Sequence, residues 1–249
     1  LMLNIRRGTM LNPLIRKLAR GAELSEDDRR TVEEAITDVR QIGPRQDLIR
    51  EGDRPDEVHL ILEGFACRYK TLADGQRQIM AFLVPGDICD LHVAILGAMD
   101  HGIGTLSACR VAFIPQTTVA VLTENHPAIV RALWWNTLVD EGILREWLVS
   151  MGRRPADKQM AHLFCELLVR LESVGLVKDN GFEFALTQEE LADALGISPV
   201  HTNRVLTQLR DDGLIRLSGK RLDIVDLDRL CTYAGFDPAY LHLTKRRAG

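Results

Sequence analysis

The chain has 249 residues, of which 46% are hydrophobic and 27% are charged, and its formal net charge is −4 at pH 7. This composition is typical of a folded globular protein and excludes disordered and fibrous classes, and the length predicts one large domain or, preferably, two. No apolar stretch reaches the ~18 residues that a membrane span requires. The first residues lack the apolar core of a signal peptide, so we expect a true start at Met10 and a cytoplasmic protein that has no membrane partner.

The cysteines are Cys67, Cys89, Cys109, Cys165 and Cys231. Their number is odd and no CxxC motif occurs, which argues against a disulfide framework, a zinc ribbon and a cysteine-ligated iron–sulfur cluster. The preferred interpretation is that they are buried small hydrophobic residues. A redox-sensing role for Cys67, Cys89 or Cys109 stays open.

The N-terminal half changes from a helical to a strand pattern. Residues 10–40 are predicted to be helical, with Ser25 as an N-cap and an apolar face that ends at Val39. Residues 41–116 contain short apolar and β-branched segments separated by EG, DG and PGD turn signals. We therefore predict that residues 10–125 form a small antiparallel β-roll of jelly-roll type with N-terminal helices.

Residues 126–151 return to a helical pattern, with Pro127 suited to the first turn. Apolar residues recur along this helix at spacings of three and four. The stripe either packs on the β-roll of the same chain or forms a dimer seam with the same helix of a second chain. We predict a seam, interrupted by Asp140 and Glu141, that contains Val130, Leu133 (or Trp134), Thr137, Leu144, Trp147 (or Leu148) and Met151.

A domain boundary is predicted at residues 152–155, and residues 155–235 form a second domain. Thr187 and Glu190 form the capping-box pattern of a short helix. Gly196 ends that helix, and Ser198 with Pro199 begins another. Two helices joined by a tight glycine turn are typical of the helix-turn-helix motif. The segment LIRLS–GK–RLDIVD then predicts a strand pair that forms a wing.

The outer face of the second helix of this motif is predicted to bind DNA. Arginine can pair with guanine, and asparagine or glutamine with adenine. Between residues 199 and 221 there are five basic and two acidic residues, so the local surface is basic although the chain is not. The predicted base-reading residues are Val200, His201, Asn203, Arg204 and Gln208, and the predicted DNA-backbone contacts are Thr187, Ser198, Lys220 and Arg221.

Together these features resemble the cyclic-AMP receptor protein / fumarate-nitrate reductase regulator (Crp/Fnr) family of bacterial transcription factors. The resemblance covers about residues 40–230, and its most specific part is TQEELADALGISPVHTNRVLTQLRDDGLI. It implies an α+β protein with a β-roll sensor domain of the cyclic-nucleotide-binding type, a long dimerisation helix and a C-terminal winged helix-turn-helix domain. It also implies a homodimer on inverted repeats in double-stranded DNA, with RNA polymerase and a small-molecule effector as further partners.

The segment that follows the PGD turn departs from the cyclic-AMP-binding members. Those members carry a phosphate-holding arginine in this segment, but here no Arg or Lys lies between Asp87 and Cys109. A cyclic phosphate would lack its charged partner, so we expect an effector that is not a cyclic nucleotide and leave its identity and any cofactor unassigned. The candidate pocket residues are Asp87, Cys89, Asp90, His92 and His101; for the two histidines the preferred interpretation is a satisfied structural role.

The reading helix departs from the family pattern as well. Val200 stands where members that read TGTGA- or TTGAT-type half-sites usually have a glutamate, so the half-site should differ. Arg204 matches the family's reading arginine; the alternatives are a phosphate contact or a salt bridge to Asp211 or Asp212. The N-terminal cysteine cluster of the oxygen-sensing members has no counterpart before Cys67.

No enzymatic chemistry is predicted. The sequence lacks HExxH and GxxxxGK[ST] motifs and a complete dinucleotide-binding fingerprint, and we assign neither catalytic residues nor a metal site. An alternative from another class is a ligand-sensing β-roll that signals through protein–protein contacts and uses the winged helix as a partner surface. The local basic stretch favours DNA.

Overall fold

The computed structural model describes residues 12–243, so the expected start at Met10 lies outside the described residues. Two helices come first, α1 (Pro13–Gly21) and α2 (Glu26–Glu34). Ser25 caps α2 through reciprocal hydrogen bonds with Asp28. The apolar helical face predicted from the sequence ended at Val39, which is too long, because α2 ends at Glu34 and Val39 lies in the first strand.

Two antiparallel sheets form the β-roll. One has the strand order β1-β7-β3 and the other β2-β6-β4-β5. The two sheets enclose an apolar core that includes Ile61, Leu83, Ile103 and Val111. The strands are β1 (Asp38–Ile42), β2 (Asp47–Ile49), β3 (Glu57–Glu63), β4 (Ala66–Thr71), β5 (Arg77–Leu83), β6 (Gly102–Thr105) and β7 (Cys109–Pro115), and the short helix α3 (Val93–Leu96) lies between β5 and β6.

The β-roll is followed by α4 (Gln116–Asn125) and the 27-residue helix α5 (Pro127–Arg153). The inner face of α5 packs against α1 through residues such as Ala132 and Leu133. Further along, Trp147 is buried and its indole N–H donates to Glu166 at 3.1 Å. Since Leu133 and Trp147 are packed inside the chain, the alternatives Trp134 and Leu148 are the better candidates for the predicted seam.

The C-terminal part is built around the buried helix α6 (Ala156–Ser173). The wing strands pair antiparallel across the turn at Gly219, whose φ of +58° suits glycine. A third strand, which the sequence analysis did not predict, joins them in the order β8-β10-β9. The remaining elements are β8 (Gly181–Glu183), α7 (Gln188–Leu195), α8 (Pro199–Asp211), β9 (Ile215–Ser218), β10 (Arg221–Ile224), α9 (Leu227–Ala234) and a 3-10 helix (Pro238–Leu241).

Buried charges connect the two parts of the chain. Arg170 of α6 donates to Asp87 at 2.7 Å, and Lys17 of α1 donates to the other oxygen of the same carboxylate at 2.5 Å. Burial alone would raise the pKa of Asp87, but these two cations lower it to about 2. The PGD turn is thereby held to both α1 and α6. Across residues 12–243, no helix combines the length and apolar character needed to cross a membrane.

Candidate nucleic-acid interface

Two well-capped helices form the predicted helix-turn-helix. The Thr187 hydroxyl accepts from the Glu190 N–H, and the Glu190 carboxylate accepts from the Thr187 N–H. Gly196 ends α7 in the left-handed region, and Ser198 caps α8 by accepting from the His201 N–H. The inner face of α8 is fixed by four buried residues, Thr202, Val205, Leu206 and Leu209. The opposite face is therefore held outward.

The predicted base-reading residues lie on this outer face. Val200 is 82% exposed, Asn203, Arg204 and Gln208 are exposed, and His201 is half-buried. The Asn203 amide donates to Gln188 at 3.0 Å, and the Gln208 amide lies 3.4 Å from the Tyr233 hydroxyl.

Arg204 differs from its neighbours on this face. Within residues 12–243 no hydrogen bond or salt bridge engages its guanidinium. The alternative of a salt bridge to Asp211 or Asp212 is not realised. The five donors of this side chain are therefore free for a ligand.

The side chains predicted to contact the DNA backbone differ in whether they already have hydrogen-bond partners within the chain. Lys220 is exposed at the tip of the wing. Arg221 was expected to be free as well, but it donates to Asp223 and to the Lys178 carbonyl oxygen, each at 2.6 Å. The hydroxyls of Thr187 and Ser198 act as helix caps. Only Lys220 in this set thus presents an uncommitted charge.

The β-roll holds the helix-turn-helix in place through α7. Arg77 of β5 donates to Asp193 at 2.7 Å, and the Gln78 amide donates to the Ala194 carbonyl oxygen at 3.4 Å. Thr187 and Cys67 line opposite sides of a cavity of about 460 Å³ between these elements. The N-terminal end of α7 therefore faces the β-roll, so Thr187 is less available to DNA than the sequence analysis expected.

Three of the five candidate effector-pocket residues are buried within the fold. Asp87 carries the two ion pairs described above. Asp90 is fully buried, accepts from the His59 N–H at 2.7 Å, and has its other oxygen 2.7 Å from the His59 ring nitrogen Nδ1. Cys89 is fully buried as well, and burial raises the pKa of its thiol well above the usual value. Cys89 and Asp90 are therefore closed off from solvent, and the carboxylate of Asp87, which borders a small cavity, is already bound by two cations.

Arg68, which no sequence pattern marked, reaches this segment from β4. Its guanidinium donates to the carbonyl oxygens of Cys89 and Ile88 at 3.1 and 3.0 Å, and to Asp140 of α5 at 3.0 Å. The contact joins the segment after the PGD turn to the long helix. Its partners lie 20 or more residues away in sequence, so no local motif marks it.

An apolar stripe runs along the outside of α5. Trp134 and Leu148 are 72% and 69% exposed, and an ion pair between Glu141 and Arg145 at 2.7 Å interrupts the stripe. Of the other predicted seam residues, Thr137 is exposed and Val130 is half-buried. The exposed large apolar residues of α5 are Trp134, Leu138, Leu144, Leu148, Val149 and Met151.

The five cysteines are free thiols. Burial raises the pKa of Cys67 to about 12 and that of Cys109 to about 11. Because the thiolate is the reactive form, burial disfavours the redox-sensing alternative for Cys67, Cys89 and Cys109.

Known proteins match both parts of the chain. A family model of the Crp-like helix-turn-helix domain matches residues 158–233, and a model of the cyclic nucleotide-binding domain matches residues 39–126. The transcriptional activator protein FnrL of Cereibacter sphaeroides is 31% identical over 229 residues, which cover 90% of each chain. The nitrogen fixation regulation protein FixK of Azorhizobium caulinodans is 24% identical over 206 residues, 82% of each chain.

The fold also has solved counterparts. FixK2 from Bradyrhizobium japonicum superposes with a TM-score of 0.71 and 21% identity, over 79% of this chain and 96% of that one. At this level of identity the likeness establishes a shared fold.

Proposed function

Because the chain belongs to the Crp/Fnr family of transcriptional regulators, which are DNA-binding proteins and not enzymes, we propose that it acts as a homodimer on an inverted-repeat operator. The observation that carries this proposal is the outer face of α8, where an uncommitted arginine stands among exposed polar side chains. Such a face suits the major groove, in which arginine and asparagine discriminate base edges. Since its target is chromosomal DNA, we place its action in the cytoplasm, with RNA polymerase as a further partner.

The proposed dimer rests on α5. At 1.5 Å per residue, 27 helical residues extend over about 40 Å, and the exposed apolar side chains follow one side of this length. A soluble monomer rarely leaves so many large apolar side chains together in water. A second copy of the same helix, related by a two-fold axis, would cover the stripe and place one α8 on each half of the operator.

Selection from a random duplex library tests the proposed operator. We expect an inverted repeat with half-site centres about 34–36 Å apart, one turn of duplex, because each α8 enters one major groove. Affinity for the selected site should fall steeply with salt, because binding releases counterions from the DNA phosphates and added salt opposes that release. Failure to enrich any sequence, together with salt-independent binding, would favour the alternative in which the winged helix is a protein-binding surface.

We further propose that the effector is not a cyclic nucleotide. The match of residues 39–126 to a cyclic nucleotide-binding domain describes the domain family, whereas this chain lacks an arginine between Asp87 and Cys109. The nearby Arg68 is already engaged by two carbonyl oxygens and Asp140. A cyclic phosphate would have to break these contacts to gain a charged partner.

Calorimetry with cyclic AMP or cyclic GMP is expected to give no specific heat at millimolar ligand. Losing a buried charge-assisted contact costs about 2–5 kcal/mol, which corresponds to roughly 30-fold to several thousand-fold in affinity. A micromolar dissociation constant would contradict the proposal and would mean that backbone amides or a released Arg68 hold the phosphate. The Arg68→Ala variant separates these two outcomes, because only the second loses the binding.

A further inference from the structure

Two histidines of the β-roll have buried ring nitrogens without partners. His92 directly precedes α3 and His101 directly precedes β6, and their rings stack with centroids 5.4 Å apart and planes 28° apart. In the described part of the chain, neither Nε2 atom has a hydrogen-bond partner, although both are shielded from solvent. Buried polar atoms are nearly always paired, so these two nitrogens indicate that a ligand belongs between them. A purely structural role, which the sequence favoured, leaves both nitrogens without a partner in the described residues.

Asp100 fixes the orientation of His101. Its Oδ1 atom lies 2.6 Å from Nδ1 of His101. A carboxylate at this distance accepts the Nδ1–H, so the tautomer leaves a lone pair on Nε2. The same carboxylate–histidine arrangement orients many imidazoles that bind metals. The His101 side chain is 10% exposed, whereas that of Asp100 is 80% exposed, so Nε2 faces the interior and the carboxylate faces solvent.

The backbone on both sides of the pair is tied down. Met99 exchanges hydrogen bonds with the β2–β3 connection, donating to Asp53 at 2.9 Å and accepting from Gly52 at 2.7 Å. On the other side, the carbonyl oxygen of His92 accepts from the Leu96 N–H at 2.9 Å. The two histidines are therefore held near one another before any ligand arrives, which lowers the ordering cost of binding.

The distances suit a shared metal ion. One donor atom each from His92, Asp100 and His101 lies within 4.8 Å of the others. Two imidazole nitrogens bound to one zinc ion at about 2.0–2.1 Å can be at most ~4.2 Å apart. Side-chain rotations that close less than ~1 Å would bring both imidazoles onto one ion, and water would fill the remaining positions.

The local charges are compatible with a cation. Asp100 supplies a carboxylate beside the His101 ring. Arg68, whose guanidinium holds the segment just before His92, is paired with Asp140 at 3.0 Å.

We propose that His92 and His101, the latter oriented by Asp100, bind a divalent transition-metal ion of the kind that imidazole prefers, such as zinc or cobalt. The sequence pattern indicated no metal site, because the two histidines lie nine positions apart and match no ligand motif. The site is independent of the DNA-binding face, so metal binding is measurable whether or not the proposed operator exists.

The test uses the full-length protein without a histidine tag, stripped of metal by a chelator that is then removed. Equilibrium dialysis against cobalt or zinc should show one ion per chain, and the cobalt form should lack a thiolate charge-transfer band. His92→Ala and His101→Ala should each weaken binding at least about 100-fold, and Asp100→Asn about 10–100-fold, as expected for an orienting carboxylate. His242→Ala, at an exposed histidine, is the matched control and should change nothing.

Two results would overturn the proposal. One is a wild-type protein that binds no metal at micromolar free concentration, which would assign the two nitrogens to a buried water. The other is binding that survives both histidine substitutions. Because Asp100 is exposed, its asparagine variant should keep its circular dichroism and melting temperature, so it tests the site even if a histidine variant fails to fold.

Discussion

Replacing Leu144 with arginine is expected to convert the protein from a dimer into a monomer. Leu144 is 53% exposed in the single chain and lies on the apolar stripe of α5. In a two-fold seam, both copies would bring an unpaired guanidinium into an apolar contact. Desolvating such a charge without a partner costs several kcal/mol, so the dimer dissociation constant should rise by at least about 100-fold, or about 3 kcal/mol. Light scattering at micromolar concentration measures the change.

Operator affinity should fall when the dimer is lost, because a monomer holds only one half-site. The matched control is Leu72→Arg, the same chemical change at an exposed leucine in the β4–β5 turn, which should leave both dimer and operator binding intact. A wild-type protein that is monomeric at micromolar concentration would contradict the proposed seam. So would a Leu144→Arg protein that remains a dimer.

Local sequence chemistry predicted much of this molecule. The capping residues Ser25, Thr187 and Ser198 and the turn at Gly219 lie where their patterns placed them, because caps and tight turns depend on neighbouring residues. The family membership and the solved counterparts confirm the predicted fold class and the predicted class of DNA-binding regulator.

Positions that depend on distant partners were not predictable in the same way. Adjacent residues on a helix point about 100° apart, so the stripe of α5 could be read with Leu133 or Trp134, and only packing against α1 decides that Trp134 is outside. Asp87 is a second example, since its partners Lys17 and Arg170 are 70 and 83 positions away in the sequence. A sequence pattern carries no information about such pairs.

Ion pairs between distant elements also link the β-roll to α5 and to the DNA-binding part of the chain. Arg68 joins the segment near His92 to α5 through Asp140, and Arg77 joins β5 to α7 through Asp193. Each contact is an ion pair between elements far apart in sequence. The β-roll is therefore joined directly, through ion pairs, to α5 (the proposed dimer helix) and to α7 of the helix-turn-helix.

Replacing Arg204 with alanine is expected to produce the largest loss of sequence discrimination. A bidentate contact between arginine and guanine is worth about 1–3 kcal/mol for each base pair read. With two half-sites the loss is about 2–6 kcal/mol, which is about 30-fold at the lower end and more than 10,000-fold at the upper end. Library selection with the variant should lose the preference at one symmetric base pair and keep the others.

Lys220→Ala provides the comparison that separates base reading from simple attraction to phosphate. Lys220 is exposed on the wing, so its loss should weaken all sequences alike and reduce the salt slope by about one for each lost contact. If Arg204→Ala behaves in this manner and keeps the wild-type base preference, then Arg204 contacts the DNA backbone. Specificity would then have to come from the remaining side chains of the outer face, which are Val200, His201, Asn203 and Gln208.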